Sequence, residues 1–162
     1  MKNFPLFIDI SKYKIVVIGG GIIASRRVRT LLSFATDITV VAPKLCDAMI
    51  NFYQNTQITW VKDFYHSSQI YGADMVLAMT NDKEVNHQIQ QDCRELERTQ
   101  NKKVLVSVAD EKNLCDFYFP SIIEDGNLII AVNSGGTSPS LVKKTRKKLE
   151  HLLQSSSLYH KD

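Results

Sequence analysis

The sequence predicts an α/β chain: a doubly wound parallel sheet followed by a small β-hairpin and helix. Three observations carry this. Up to about Asp110 the chain alternates short apolar β-rich runs with helical stretches. Apolar strands separated by helices belong to a parallel sheet covered on both faces. A run of three glycines follows the first such strand and opens the first helix. Beyond Asp110 the rhythm breaks, and two β-rich runs flank an Asp-Gly turn signal ahead of a basic helix.

The elements follow in order. Lys14-Ile15-Val16-Val17-Ile18 reads as a buried strand, then Ile22 to Phe34 as a helix whose apolar Ile23, Val28, Leu31 and Leu32 alternate with Arg26, Arg27 and Arg29. Ile38 to Val41 is the next strand, ended by Ala42-Pro43. Leu45 to Asn55 reads as a helix, Ile58 to Val61 as a strand, and Asp74 to Ala78 as another. Lys83 to Thr99 is a long polar helix, and Val104 to Val108 the last strand of the series. Right-handed crossovers place every strand-to-helix loop at one edge of such a sheet, where ligands bind.

Residues Phe117 to Ile123 and Leu128 to Val132 then flank Glu124-Asp125-Gly126-Asn127, a hairpin. Asn133-Ser134-Gly135-Gly136-Thr137-Ser138-Pro139 leads into a helix reaching about Gln154, with Ser138 as N-cap and Pro139 at the first helical position. Residues from Ser155 onward read as frayed. The expected division is 1–112 for the sheet domain and 113–162 for the hairpin and helix.

Gly19-Gly20-Gly21-Ile22-Ile23-Ala24 fits GxGxxA after a strand and before a helix, the context of a Rossmann-type dinucleotide loop. Gly19 permits the tight turn, Gly21 admits a pyrophosphate, and Ala24 lets helix and strand pack closely. The N–H groups at the helix start, around Ile22 and Ile23, face the phosphates. The usual acidic residue about 20 positions on is missing. The second strand ends at Pro43-Lys44, while Asp37 lies at its wrong end and Asp47 in the next helix. Lys44 could meet a 2′-phosphate and favour NADP, or backbone atoms at Pro43 and Lys44 could hold the adenosine of NAD. Thr80 and Asn81 end the fourth strand and belong to the nicotinamide side, unless Thr80-Asn81-Asp82 is a polar helix cap.

Composition narrows the classes. The 162 residues are 44% hydrophobic and 23% charged, enough to bury a core. No apolar run approaches the roughly 20 residues that cross a bilayer. The start carries no secretory signal, so a cytoplasmic protein is expected. Cys46, Cys93 and Cys115 form no CxxC pair, and the four histidines form no metal-binding pattern, so no dedicated metal site is expected. From Pro139 onward the chain is +4 and the remainder −1, so the basic charge sits on the last helix. Without interleaved aromatics that helix does not read as a nucleic-acid binder.

With those residues in view, the chain resembles the precorrin-2 dehydrogenase family, the N-terminal module of siroheme synthases. Phe4-Pro5-Leu6-Phe7-Ile8-Asp9 resembles the family's opening strand. Val17 to Gly21 with Ala24-Arg26-Arg27-Val28-Arg29 resembles its glycine loop and first helix. Thr39 to Pro43 resembles its second strand, and Phe119-Pro120-Ser121 with Asn133 to Pro139 carries its SGGTSP run. The resemblance covers residues 4 to about 153. It implies NAD-dependent oxidation of precorrin-2 to sirohydrochlorin by a homodimer built through the hairpin and following helix, and it resolves the missing acid in favour of NAD. It matches the family's critical aspartate to Asp110. Bifunctional members also insert ferrous iron, and related members accept cobalt. Many members carry a further helical domain after the basic helix, which is expected here to be absent or supplied by another polypeptide.

Asp110 follows a buried strand, where a carboxylate could take a proton as hydride leaves the macrocycle. It could instead position substrate or cap a turn. Precorrin-2 is a polycarboxylate, and Ser134, Gly135, Gly136, Thr137 and Ser138 offer hydroxyls and N–H groups at a helix start. Lys143, Lys144, Arg146, Lys147 and Lys148 add screened attraction or form a solvated face. The competing reading is an NAD(H)-sensing regulatory module, which the glycine loop alone fits equally well.

Overall fold

The computed structural model describes residues 4–109 and 111–155. The chain divides into two units: Phe7–Phe117, and Tyr118 onward together with the chain start up to Leu6.

In the larger unit, β1 (Ile15–Ile18) is buried at every residue and leads through the glycine loop into α1 (Ile22–Leu31). Then come β2 (Ile38–Val41), α2 (Asp47–Gln54) and β3 (Thr59–Val61). A 3₁₀ turn at Ser67–Ile70 precedes β4 (Met75–Ala78), again wholly buried. α3 (Lys83–Gln100), β5 (Leu105–Val108) and a 3₁₀ turn at Lys112–Leu114 complete it. The strands are all parallel, in the order β3-β2-β1-β4-β5. Apolar β1 and β4 are central, where both faces are covered.

Each helix shows why its sequence chose that state. α1 buries Ala24, Ser25, Val28 and Leu31 and leaves Arg26 and Arg29 in solvent. α3 buries only Asn86, Ile89, Cys93 and Leu96, one narrow stripe at helical spacing on an otherwise polar helix. Asp82 starts α3 by accepting the Glu84 and Val85 N–H groups, and Asn101 ends it in the left-handed conformation at φ 48°. The stripe packs against Val76, Val104 and Val106 in the core.

The smaller unit holds β6 (Ser121–Asp125) and β7 (Leu128–Val132), paired antiparallel, and α4 (Pro139–Ser155), which packs on both. Ser138 Oγ accepts the Leu141 N–H at 3.4 Å, so the expected cap forms.

Several boundaries differ from expectation. The hairpin turn is Gly126-Asn127, with Asp125 paired to Leu128, one residue beyond the Asp-Gly pair. Gly126 takes φ 56° at the first central position, which type II′ turns require. Phe117–Pro120 lie outside the ladder, where Pro120 has no N–H to offer. Phe4–Asp9 form no strand: Pro5 lacks a donor, and Phe4, Leu6 and Phe7 are exposed. α1 stops at Leu31 because the last turn tightens, with Phe34 N–H bonding Leu31 O at 2.8 Å. Among the described residues no helix is long and apolar enough to cross a membrane.

Candidate functional site

β1 lies between β2 and β4, and the chain leaves β1 towards β2 but leaves β4 towards β5. The crevice at the carboxyl ends of β1 and β4 is therefore the switch point of the sheet, the position where such folds bind ligands. Ile18 and Ala78 end these strands side by side.

The three glycines differ in what holds them. Gly19 has φ 126°, and a Cβ built there would lie 2.4 Å from the Met79 carbonyl oxygen. Its N–H bonds Val41 O, and Met79 N–H bonds Ile18 O, so the turn is stitched to both neighbouring strands. Gly20 has a normal φ, but its Cβ would lie 2.1 Å from Lys44 O. Its carbonyl accepts the Cys46 N–H at 2.8 Å, binding the glycine loop to the loop after β2. The GxGxxA pattern leaves this middle position open, so its constraint went unread; a glycine at that open position, between the two the pattern requires, was the signal. Gly21 is the opposite case, since a Cβ there would meet nothing within 4 Å.

That open space lies at the start of α1. Gly21 is its N-cap, no side chain caps the helix, and its first turn carries no acid. The orphan N–H groups of Ile22, Ile23 and Ala24 and the positive helix end are therefore left to an anion. Ala24 is fully buried against the sheet while Ile22 and Ile23 are largely exposed. A dinucleotide pyrophosphate fits this donor set and this space.

On one side of the glycine loop lie Pro43 and Lys44, both exposed. The segment is fixed by the Trp60 indole N–H, which donates to Ala42 O at 2.9 Å. On the other side, Thr80 is locked to Asn86. Thr80 N–H donates to Asn86 Oδ1 at 3.1 Å, and Asn86 Nδ2 donates back to Thr80 O at 3.1 Å. The Thr80 hydroxyl lies 2.8 Å from Asn86 Oδ1 and 2.9 Å from Asp82 O. Asn86 is only 3% exposed, a buried amide that holds the loop after β4. The sequence reading missed it; a polar residue on the apolar stripe of α3 was its signal. Asp82 serves as a helix cap, and Asn81 is exposed beside it.

Asp110 lies outside the described residues. Its neighbours are fixed: Ala109 N–H donates to Ala78 O at 2.9 Å, and Val108 N–H to Cys115 Sγ at 3.2 Å. Glu111 lies 3.8 Å from His87 Nε2 and 4.0 Å from Lys83 Nζ, partners the sequence did not suggest.

The structure thus gathers Gly19, Gly21, Ile22, Ile23, Ala24, Pro43, Lys44 and Thr80 around one loop system. Ser134 to Ser138 belong to the other unit. There Ser134 O accepts the Thr137 N–H and hydroxyl at 3.2 and 2.6 Å, and Ser134 Oγ accepts the Ser138 N–H at 3.1 Å. Gly135 and Gly136 take φ 63° and 70°, a turn that only glycine enters freely. Much of the expected donor and acceptor set is thus spent inside the loop. Of the basic residues on α4, Arg146 pairs with Glu150 at 2.7 Å.

Comparison with known proteins follows the same lines. A family model described as "Putative NAD(P)-binding" matches residues 6–121. The "Probable multifunctional siroheme biosynthesis protein HemA" of Ruminiclostridium josui is 40% identical over 155 residues, 95% of this chain and 29% of that protein. The siroheme synthase of Mannheimia succiniciproducens is 35% identical over 153 residues, 94% of this chain and 31% of that protein. The chain therefore spans about a third of the length of the curated relatives it matches. A solved precorrin-2 dehydrogenase, SirC, aligns with a TM-score of 0.74 at 24% identity, over 93% of this chain and 71% of that one. That likeness is one of fold.

Proposed function

We propose that this chain, which belongs to the NAD(P)-binding family, is an NAD-dependent dehydrogenase that oxidises precorrin-2 to sirohydrochlorin. The observation that carries the reading is the glycine loop at the switch point, with open space and an uncapped helix start at Gly21. Its similarity to siroheme biosynthesis proteins supports a tetrapyrrole as the substrate class.

When bound, NAD supplies the hydride acceptor. The chain's residues do the rest. Gly19 and Gly20 hold the loop flat against the strand ends, and the α1 N–H groups take the pyrophosphate charge. Pro43 and Lys44 border the adenosine half. Thr80, locked by Asn86, and Asn81 border the nicotinamide half. Oxidation removes a hydride and a proton from the macrocycle. In this reading the proton leaves to Asp110 or to water positioned by it. Ser134 to Ser138 contact the substrate's carboxylates with the donors left over from the loop's own bonds.

The active form is a homodimer. A two-stranded sheet buries too little alone. Cross-strand pairing puts Ile122, Glu124, Ile129 and Ala131 on one face of the hairpin, and Ile129 is 40% exposed. On α4, Leu141 and Leu152 are exposed as well. The exposure of these side chains, which a second copy would cover, supports the dimer; sedimentation as a monomer would refute it.

Anaerobic incubation with precorrin-2 and NAD, following NADH and sirohydrochlorin absorbance, tests the activity. Turnover that is lost in Asp110→Ala while NAD binding persists is the expected result. NAD binding without turnover or tetrapyrrole binding would overturn it in favour of a dinucleotide sensor.

A further inference from the structure

The larger unit has a second concave place, away from the glycine loop. A cavity of about 390 Å³ opens beside the start of β3. Its walls include Thr36, just before β2, and Thr59, the first residue of β3, together with the chain that follows α2. It therefore lies at the amino ends of these parallel strands, whereas the glycine loop lies at the carboxyl end of β1. Its volume is within the range of about 300–1,000 Å³ that small-molecule sites occupy.

The lining combines an aromatic wall with a polar rim. Ile58, 6% exposed, is its buried apolar member. Tyr53 and Trp60 meet edge to face, with centroids 5.5 Å apart and planes at 79°. The Trp60 indole N–H donates to Ala42 O at 2.9 Å, which fixes that ring, and the Lys62 ammonium sits over it at 5.7 Å from the centroid. Tyr53, 45% exposed, is thus the ring left for a ligand to stack on. Thr36, Thr56, Gln57 and Thr59 are exposed and carry hydroxyls or an amide. Among the described residues, the lining contains no charged side chain.

Thr56 adds a strained backbone. α2 closes with Gln57 N–H bonded to Phe52 O and Thr56 N–H to Tyr53 O, both at 3.0 Å. This closure puts Thr56 in the left-handed conformation, φ 55°, where glycine is usual. The other described non-glycine residue with positive φ is Asn101, a type that enters this region readily. A β-branched residue does not, so the chain gives up stability to keep this side chain at the cavity wall. The Thr56 hydroxyl donates to Asn55 O at 2.7 Å, which leaves its oxygen as an acceptor.

We infer that this cavity is a binding site, separate from the glycine loop, for an uncharged heteroaromatic molecule of nucleoside size. A flat heterocycle stacks on Tyr53 while the donors and acceptors on its edge meet the threonine hydroxyls and the Gln57 amide. A phosphate or carboxylate has no cation in the lining to meet.

Titration of the full chain with adenosine tests this, with NAD at saturation to keep adenosine out of the glycine loop. Trp60 is the one tryptophan of the chain, so its emission reports the cavity directly. Saturation-transfer NMR on adenosine gives an independent readout. A saturable response with Kd between about 0.1 and 1 mM is expected, the scale for about 19 non-hydrogen atoms at ordinary ligand efficiency. Tyr53→Ala weakens adenosine by about fivefold or more, one lost base stack, whereas Tyr53→Phe stays within about twofold. Thr56→Gly raises Tm, because glycine suits the left-handed position, and weakens adenosine by about two- to tenfold through the lost hydroxyl. No saturable response in either readout up to about 3 mM overturns the inference. So does adenosine binding that Tyr53→Ala leaves unchanged, or ribose alone binding as well as adenosine. A cooperative melt in each variant shows that it has folded. Failure of NAD to bind would count against the glycine loop and not against this site, where the Tyr53 variants still decide.

Discussion

Exchanging Gly21 for alanine separates binding from folding. Its backbone, at φ −84° and ψ −177°, suits any residue, and the new Cβ meets nothing within 4 Å. Two small effects oppose each other: a restricted unfolded chain stabilises by about 0.4–1 kcal/mol, and a poorer N-cap costs up to about 1 kcal/mol. The net change in Tm should stay within about 4 °C. The space that the methyl enters is the space assigned to the pyrophosphate. A methyl forced into a filled contact costs about 1–3 kcal/mol, which weakens the dinucleotide by about 5- to 150-fold. Gly19→Ala is the contrast. Its φ of 126° strains any L side chain, and the Cβ would press on the Met79 carbonyl at 2.4 Å. The strain alone is worth about 1–3 kcal/mol; with the clash added, a fall in Tm of about 6–12 °C is expected. Thermal melts paired with NAD titration give both readouts. Parent-like NAD affinity in Gly21→Ala would refute the placement of the pyrophosphate, and an unchanged Tm in Gly19→Ala would refute the strain argument.

Asn86→Ala leaves the Thr80 N–H and carbonyl without their buried partner. A loss of about 1–3 kcal/mol is expected, read by urea unfolding, together with weaker NAD binding through the loosened loop. Glu97 governs the acid limb. Burial pushes its pKa up, but Lys103, the Val104 N–H and Arg94 outweigh that and hold it at about 2. A lowered carboxylate pKa stabilises the fold above the unfolded value and loses that contribution as pH falls towards 2. The parent should therefore weaken steeply below about pH 4.5, and Glu97→Gln should be less stable at pH 7 with a flatter acid limb in urea melts. Cys93 is fully buried, and burial pushes its thiol up to about 12. Mass spectrometry after native alkylation at pH 8 should find Cys93 unmodified, with Cys46 and Cys115, both partly exposed, labelled first.

What the sequence made legible follows from how local each signal is. Apolar strands such as Ile15–Ile18 and Met75–Ala78 are read directly, because a central parallel strand needs no partner-specific pattern. The resemblance to siroheme synthases was equally readable, since it rests on contiguous runs, and it is the kinship the comparisons return. Lys14 is the counterexample at a boundary. It has strand-like neighbours, but its N–H bonds the Asp74 carboxylate at 2.9 Å and its carbonyl accepts the Asp74 N–H, so it stands outside the ladder. No property of Lys14 itself could reveal that. The hairpin shift has the same character: Asp-Gly and Gly-Asn are both good central pairs, and the register between Ile123 and Ile130 decides between them.

The free edge of β5 shows why long-range pairing escapes a reading of local pattern. β5 is a terminal strand, so alternate N–H groups along it have no neighbouring strand. Val106 N–H is met by the Asp116 carboxylate at 2.8 Å, and Val108 N–H by the Cys115 thiol at 3.2 Å. Asp116 N–H returns a bond to Val106 O at 2.8 Å, and Arg94 clamps the same carboxylate at 2.8 and 2.9 Å. Two consecutive residues of irregular chain thus stand in for a sixth strand. Their side chains do what a backbone would do, so neither periodicity nor β-propensity marks them. The device also explains why a cysteine and an aspartate sit together where no metal pattern or disulfide does. It ties Cys115 and Asp116 back to the edge strand at Val106 and Val108, so the chain after β5 is anchored without a further strand.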